Sequence, residues 1–178
     1  GFFDKMVNGM VAHGYDPDFA VRCFRQIEGF GTYGFPESHA ASFALLVYAS
    51  AWLKCHYPDV FTVALLNAQP MGFYSPSQLV AEAKRSGVDV RPIDINQSDW
   101  DMILEPTTHS RYAVRLGLRL IKGLGEAEGR RIAACRNDGY HKVEDVLRWA
   151  DVSGRAIEAV ARGDGFGSLG LTARQALW

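Results

Sequence analysis

The sequence predicts a mostly α-helical protein with a small β element. Apolar residues recur at helical spacing behind cap-and-proline signals at Asp16-Pro17 and Ser75-Pro76. Between residues 88 and 116 the pattern changes to alternating apolar and polar residues, which is typical of short strands. Helical spacing returns from Leu118 onward, with glycine-containing breaks between the helices.

Two helices are predicted in the first part of the chain. One begins at Pro17 with Asp16 as its N-cap and ends at Gly29. The other contains the apolar block Ala40–Leu53 and has Ser38 as a candidate N-cap. This block has 14 residues, fewer than the roughly 20 that span a bilayer. We therefore expect a buried core helix and no membrane association.

The middle of the chain is predicted to contain the sheet. A short helix should first follow from Asp59. Short strands are then expected at residues 88–91 and 93–95, and a hairpin should pair 101–104 with 112–116 across a loop rich in Pro, Thr and Ser.

Charge and cysteine content limit the classes of function. Residues 1–110 hold 7 Lys/Arg against 12 Asp/Glu, whereas residues 111–178 hold 12 against 8, so only the second part should attract polyanions. The three cysteines form no C-x-x-C pair, which favours a reducing cytoplasm. The chain opens without an initiator methionine or a secretory signal, and we expect it to be a piece of a longer protein.

The clearest motif is Ile121-Lys122-Gly123-Leu124-Gly125. A hairpin of the form apolar-x-Gly-apolar-Gly exposes backbone N–H groups at the start of the next helix, where the helix dipole also favours an anion. The motif therefore predicts phosphate binding by Lys122, Gly123, Leu124 and Gly125, with further positive charge from Arg130 and Arg131.

This motif resembles the helix-hairpin-helix, which holds nucleic-acid backbones without reading their sequence. A degenerate second copy would begin at Asp151-Val152-Ser153-Gly154 and continue as a helix from Arg155 to Arg162. The alternative is an ordinary connection between helices that happens to use glycine. The basic character of the same segment favours DNA.

Acidic residues do not form a convincing catalytic site. Asp94, Asp99 and Asp101 lie close together, as metal-dependent phosphoryl transfer requires, but acids beside Asn96, Gln97 and Ser98 are the usual composition of a polar turn. The helix dipole alone explains Glu126 and Glu128 in the first turn of a helix. We assign no catalytic residue and no metal ligand.

The stretch FGTYGFPESHAASF, residues 30–43, is a candidate nucleotide-binding segment. His39 could bond to a neighbouring carbonyl as an ordinary first-turn residue, or it could donate to an anionic ligand. In the second case Tyr33 or Phe35 would offer a ring to a base or sugar, with Ser38 beside them.

The extended stretch FGTYGFPESHAASFALLVYASAWLKCHYP resembles the fingers region of the bacterial C-family replicative polymerases, the alpha subunit of DNA polymerase III. The similarity continues through LLNAQPMGFYSPSQLVAEAKRSGVDVRPIDIN, GLRLIKGLGEAEGRRI and DGFGSLGLTARQAL, so it covers essentially the whole chain. The segments PESH and NAQPMGFYSPSQLV are most similar to the error-prone, damage-inducible branch. Glu37 stands where the replicative branch commonly has lysine, so no phosphate contact is carried over to that position.

The resemblance implies a helical fingers segment at residues 1–87, a β-rich connector at 88–117, and a tandem helix-hairpin-helix module at 118–178. The parent would be a bacterial cytoplasmic DNA polymerase that joins deoxynucleoside triphosphates to a template-primer across damaged DNA. Its Mg²⁺ ions would be held by palm residues outside this chain, and a sliding clamp and accessory mutagenesis proteins would also bind elsewhere. The alternative is a non-enzymatic scaffold whose hairpins hold DNA or a protein partner.

Overall fold

The chain folds as two compact units, Gly1–Trp52 and Leu53–Trp178. The computed structural model describes residues 1–33, 37–108 and 111–177. It is mostly helical with one small three-stranded sheet, as the sequence predicts. Over these described ranges, no helix combines the length and the apolar character needed to cross a membrane.

The first unit contains α1 (Phe2–Ala12), α2 (Pro17–Tyr33) and the part of α3 (Glu37–His56) that ends at Trp52. Helix α2 begins where predicted, and Asp16 caps it by accepting a 2.9 Å hydrogen bond from the backbone N–H of Phe19. The prediction that this helix ends at Gly29 is wrong, because it continues to Tyr33. One glycine inside a helix costs only about 1 kcal/mol, which is too little to end it.

Aromatic rings hold α1 against α2. The ring of Phe24 lies edge-on to that of Phe3, with 4.8 Å between their centroids, and 6.2 Å from that of Phe2. Val7 and Ala20 are buried in the same unit.

The apolar helix α3 differs from its prediction in two respects. It begins at Glu37, so Ser38 lies in its first turn and not at the N-cap. Its apolar residues are largely exposed to solvent, as Leu45 and Tyr48 show with exposures of 69% and 71%. The prediction of a buried core helix is therefore wrong for the described chain. Apolar residues on every side of a helix make burial favourable, but they do not supply the partner that would bury it.

The second unit begins with two short helices whose starts agree with the sequence. Helix α4 spans Pro58–Asn67 and α5 spans Pro76–Arg85. Ser75 and Gln78 form a capping box, in which each side chain accepts a hydrogen bond from the backbone N–H of the other residue.

The sheet contains β1 (Val90–Arg91), β2 (Ile103–Glu105) and β3 (Ala113–Arg115) in the order β1-β3-β2. Strands β2 and β3 are antiparallel with Leu104 opposite Val114, so the predicted hairpin is confirmed. Strand β1 lies parallel to β3 on its other side.

The predicted strand at residues 93–95 is wrong. The Asp94 carboxylate accepts hydrogen bonds from the backbone N–H of Asn96 at 2.8 Å and of Ser168 at 2.7 Å. An aspartate that bonds to the backbone two residues later bends the chain into a turn instead of extending it.

Helical structure returns after the sheet, beginning with a 3₁₀ turn. The elements of this last region are the 3₁₀ turns Leu118–Leu120 and Gly167–Leu169 and the helices α6 (Glu126–Ala134), α7 (Val143–Trp149), α8 (Gly154–Arg162) and α9 (Ala173–Ala176). They enclose the larger hydrophobic core, which includes Ile132, Val160 and Phe166. Tyr140 lies in this core and donates a 2.9 Å hydrogen bond to the Ile132 carbonyl, and its burial raises its pKa to about 12.

Arg119 attaches the start of this helical region to the helices before the sheet. Its guanidinium donates to the carbonyls of Asn67 at 3.0 Å and Gln69 at 3.1 Å, and to the Asp101 carboxylate at 2.7 Å. The hairpin that follows Arg119 is thereby anchored to the end of α4.

Candidate nucleic-acid interface

The first hairpin comprises residues 121–125, between the 3₁₀ turn and α6. Its tight turn is closed by a 3.3 Å hydrogen bond from the Leu124 N–H to the Ile121 carbonyl. Gly123 has a φ of +92°, which favours glycine. Ile121 and Leu124 are buried, whereas Lys122 between them is exposed. The turn therefore anchors itself in the core by two apolar side chains and presents its backbone and one cation to solvent.

The second hairpin comprises residues 149–153, from Trp149 at the end of α7 to the start of α8, and it resembles the first at three positions. Asp151 takes the place of Gly123 with a φ of +48°, and Val152 is buried like Leu124. Ser153 has φ and ψ of −73° and 155°, close to the −76° and 145° of Gly125. The degenerate second copy therefore shares the positive φ, the buried apolar residue and the extended N-cap of the first, whereas Trp149 is exposed where Ile121 is buried.

Each hairpin leads into a helix, and the first backbone N–H groups of a helix have no carbonyl partner within it. The N-cap of α6 is Gly125, which has no side chain to satisfy these groups. At the start of α8, the Ser153 hydroxyl accepts from the N–H of Ala156 at 3.2 Å. Unpaired N–H groups together with the positive end of the helix dipole favour a bound anion.

Cations converge on a hollow between the first hairpin and α8. This hollow encloses about 650 Å³, and its charged lining residues are Lys122, Arg155, Arg162 and Glu158. Arg162 is paired with Glu158 at 3.2 Å. Within the described ranges, neither Lys122 nor Arg155 makes a salt bridge. The hollow therefore carries a net positive charge that is open to a ligand.

The two other predicted cations on α6 already have protein partners. Arg130 is paired with Glu126 at 2.8 Å and lies 3.8 Å from Asp101. Arg131 donates to the carbonyl oxygens of Ala150 and Asp151, both at 3.0 Å, in the second hairpin and its entry.

Glu128 also extends from α6 to the second hairpin. Its carboxylate accepts a 2.9 Å hydrogen bond from the backbone N–H of Ser153. This bond, more than the nearby Arg131 and Arg155, lowers the pKa of Glu128 from its ordinary value. The Ser153 N–H thus favours the ionised form of Glu128, whose other carboxylate oxygen lies 3.6 Å from the position that a Cβ on Gly125 would take.

The three aspartates considered as metal ligands each bind a different protein group. Asp94 caps its own turn, Asp99 is paired with Arg136 at 2.6 Å, and Asp101 is paired with Arg119 at 2.7 Å. The described part of the chain contains no group of three or more His, Cys, Asp or Glu side chains that could hold a metal ion.

The candidate nucleotide-binding segment is described only in part. Phe35 lies outside the described residues, Tyr33 is the last residue of α2, and Ser38 lies in the first turn of α3. His39 is exposed, and its ring lies 4.5 Å from that of Phe43, one turn further along the same helix.

The sequence does not indicate that Arg155 lines the hollow, or that Glu128 and Arg131 bind the second hairpin. Arg155 was predicted only as part of the second helix, although it lines the same hollow as Lys122. Glu128 and Arg131 hold the second hairpin from α6. Their i, i+3 spacing places them on one helix face, which was the available signal, but the backbone groups that they bind lie 19 to 25 residues later.

Comparison with known proteins gives two results. The helix-hairpin-helix motif family matches residues 87–176, which contain both hairpins. The error-prone DNA polymerase of Sinorhizobium medicae WSM419 is 54% identical to the chain, and error-prone DNA polymerase 2 of Agrobacterium fabrum C58 is 55% identical. Each alignment covers 99% of the chain but only 18% and 17% of the relative.

The matches agree with the geometry described above. The chain spans less than a fifth of the length of these curated relatives, so the likeness is to one segment of each of them. The family match extends over half of the chain and includes both turns, both following helices and the core beneath them. The chain belongs to the helix-hairpin-helix motif family.

Proposed function

We propose that residues 118–178 bind the phosphate backbone of template-primer DNA, as part of an error-prone DNA polymerase. The observation that carries this proposal is the repeated hairpin, which ends both times in exposed backbone at the start of a helix. Phosphate is the ligand that such N–H groups and the helix dipole favour. The relatives named error-prone DNA polymerase supply the wider context.

The phosphate contacts are assigned to the hollow between the first hairpin and α8. Lys122 and Arg155 line the hollow and supply charge, and Gly123 in its wall lets the backbone approach a phosphate closely. Gly125 does the same beside the hollow, at the start of α6. Leu124 contributes by anchoring the turn in the core. Because contacts to phosphate carry no sequence information, binding should depend little on DNA sequence.

The test is the salt dependence of duplex binding by the chain. A fluorescently labelled duplex of mixed sequence is titrated at several salt concentrations. Release of counterions predicts that the logarithm of the association constant falls linearly with the logarithm of salt concentration. In Lys122→Ala, loss of one phosphate contact should make the slope shallower by about one unit.

Lys84 is the matched control, because it is an exposed lysine on α5 outside the hollow. Lys84→Ala should leave the slope at the wild-type value. Affinity that does not respond to salt, or equal slopes for the two lysine variants, would contradict the assignment of the phosphate site.

In the parent polymerase, residues 1–87 act as the fingers segment, and 88–117 connect it to the DNA-binding module. Tyr33, Phe35, Ser38 and His39 lie near the incoming deoxynucleoside triphosphate. The exposure of His39 at the start of α3 supports this role. In the full-length enzyme, His39→Ala should raise the KM for nucleotide or lower the incorporation rate, and unchanged values of both would contradict it.

Template-directed synthesis across damaged DNA belongs to the parent enzyme in this proposal. The described residues do not fit its Mg²⁺ site, since Asp94, Asp99 and Asp101 each bind a different protein group. The metal ligands are therefore assigned to other parts of the parent protein, and the family resemblance implies the same for the surfaces that bind a sliding clamp and accessory mutagenesis proteins.

A further inference from the structure

Helix α6 holds the second hairpin from two sides. Arg131 donates to the carbonyls of Ala150 and Asp151, where the chain leaves α7. Glu128, one turn earlier, accepts from the N–H of Ser153, where the chain enters α8. We call Glu128 and Arg131 the α6 clamp. The helix that follows the first hairpin thus fixes the backbone of the second hairpin at both of its ends.

We infer that the α6 clamp positions the second hairpin so that both hairpins can engage one duplex, and that neither of its residues contacts DNA. The inference rests on the proposed function and specifies how the two copies act together. In this scheme Glu128 and Arg131 are positioning residues.

Two features of the clamp argue against a direct role in DNA binding. The Arg131 guanidinium is already engaged by two carbonyl oxygens at 3.0 Å. Glu128 is an anion, which would repel phosphate if it served no other purpose. An acid in the first turn after a phosphate-binding hairpin is explained if its role is to accept the hydrogen bond from the Ser153 N–H.

Two residues outside the clamp provide matched controls. Glu126 lies in the same turn as Glu128 but is paired with Arg130 and not with the second hairpin. Arg85 on α5 is an exposed arginine that is paired with Glu82 at 3.0 Å. Each clamp residue can therefore be compared with a residue of equal charge that does not touch the second hairpin.

The first experiment compares Glu128→Ala with Glu126→Ala in the 178-residue chain, using the labelled duplex described above. Simple electrostatics predicts that loss of an acid strengthens DNA binding. The clamp predicts the opposite sign for Glu128→Ala, a loss on the order of tenfold, because the fraction of molecules with a correctly placed second hairpin falls. Glu126→Ala should bind as tightly as wild type or more tightly.

Rescue by a conservative variant separates positioning from a general loss of stability. In Glu128→Gln the side-chain oxygen can still accept from Ser153, so its affinity should lie within about twofold of wild type. Thermal unfolding of each variant establishes that the protein is folded at the temperature of the binding assay.

The second experiment keeps the charge and changes the geometry. Arg131→Lys retains the positive charge but loses the planar fork that reaches two carbonyls. The clamp predicts a several-fold weaker affinity with an unchanged salt slope, because the bound state keeps all its phosphate contacts. Arg85→Lys on α5, outside the hollow and the clamp, should match wild type. This comparison remains informative if Glu128→Ala fails to fold.

Three results would overturn the inference. Glu128→Ala could bind as tightly as Glu126→Ala, or Arg131→Lys could retain full affinity. The third result is the absence of salt-dependent duplex binding by the wild-type chain, which would remove the proposed function and the inference with it. The first two would leave the proposed function intact, so the two failures are distinguishable.

Discussion

Gly129 lets α6 approach the ring of Trp100, so Gly129→Ala should destabilise the DNA-binding module. A Cβ at this position would lie 2.4 Å from Cε3 and 2.5 Å from Cζ3 of Trp100. Ordinary contact begins near 3.4 Å, so the ring or the helix must move by about 1 Å. Trp100 packs against the larger core, which limits how far it can move.

The expected magnitude combines two opposing effects at Gly129. Overpacking costs about 1–3 kcal/mol, and the upper end applies because the clash is with a rigid ring. Alanine inside a helix gains about 1 kcal/mol over glycine. Gly129→Ala should therefore lower the free energy of unfolding by about 2 kcal/mol.

Gly154 in α8 provides the control, because a Cβ there would meet no atom within 4 Å. Gly154→Ala should raise the free energy of unfolding by about 0.5 kcal/mol, since it restricts the unfolded chain without a clash. Urea unfolding followed by circular dichroism measures both variants. An unchanged or increased stability of Gly129→Ala would refute the packing of α6 on Trp100.

Three further predictions concern capping, burial and charge. Ser75→Ala should lose about 1 kcal/mol of stability in urea unfolding, because it removes the N-cap of α5. Tyr140→Phe should lose a similar amount, about 1 kcal/mol, because it leaves the buried Ile132 carbonyl without its donor. Hydrogen bonding to Arg115 lowers the pKa of Glu105 below 4.5, so its contribution to stability is present above that pH and is lost as the pH falls through the lowered value. The difference in melting temperature between wild type and Glu105→Gln should accordingly shrink as the pH falls below about 4.5.

The helix starts and the hairpin sheet could be predicted because their signals are local. Asp16 and Ser75 cap helices within three residues of themselves. The alternation of apolar and polar residues around Leu104 and Val114 predicts the antiparallel pair of strands. Residues 93–95 show the same alternation, but the Asp94 carboxylate begins a turn by accepting from the Asn96 N–H, and a bond from Ser168, 74 residues away, adds to it. Long-range partners of this kind leave no local pattern.

The exposure of α3 was missed for a related reason. Its sequence shows that the helix is apolar, but burial depends on which surface packs against it.

The first hairpin of the candidate site could be predicted from the sequence more readily than the second. Gly123 and Gly125 mark the first turn directly. In the second turn Asp151 adopts a positive φ in place of glycine, as aspartate occasionally does, which hides the motif. The hydrogen bonds from Arg131 to two carbonyl oxygens could not be predicted from the sequence. The charge of a basic residue beside a phosphate-binding turn favours the interpretation that it contacts DNA.

The most direct test of the account is whether both hairpins meet the same duplex. Amide signals in a ¹H–¹⁵N spectrum of the labelled chain can be followed while unlabelled duplex DNA is added. If both hairpins bind one duplex, the N–H signals of Glu126 and Ala127 at the start of α6, and of Gly154 and Arg155 at the start of α8, should shift together over the same range of DNA concentration. Shifts at neither helix start, or at only one of them, would contradict it.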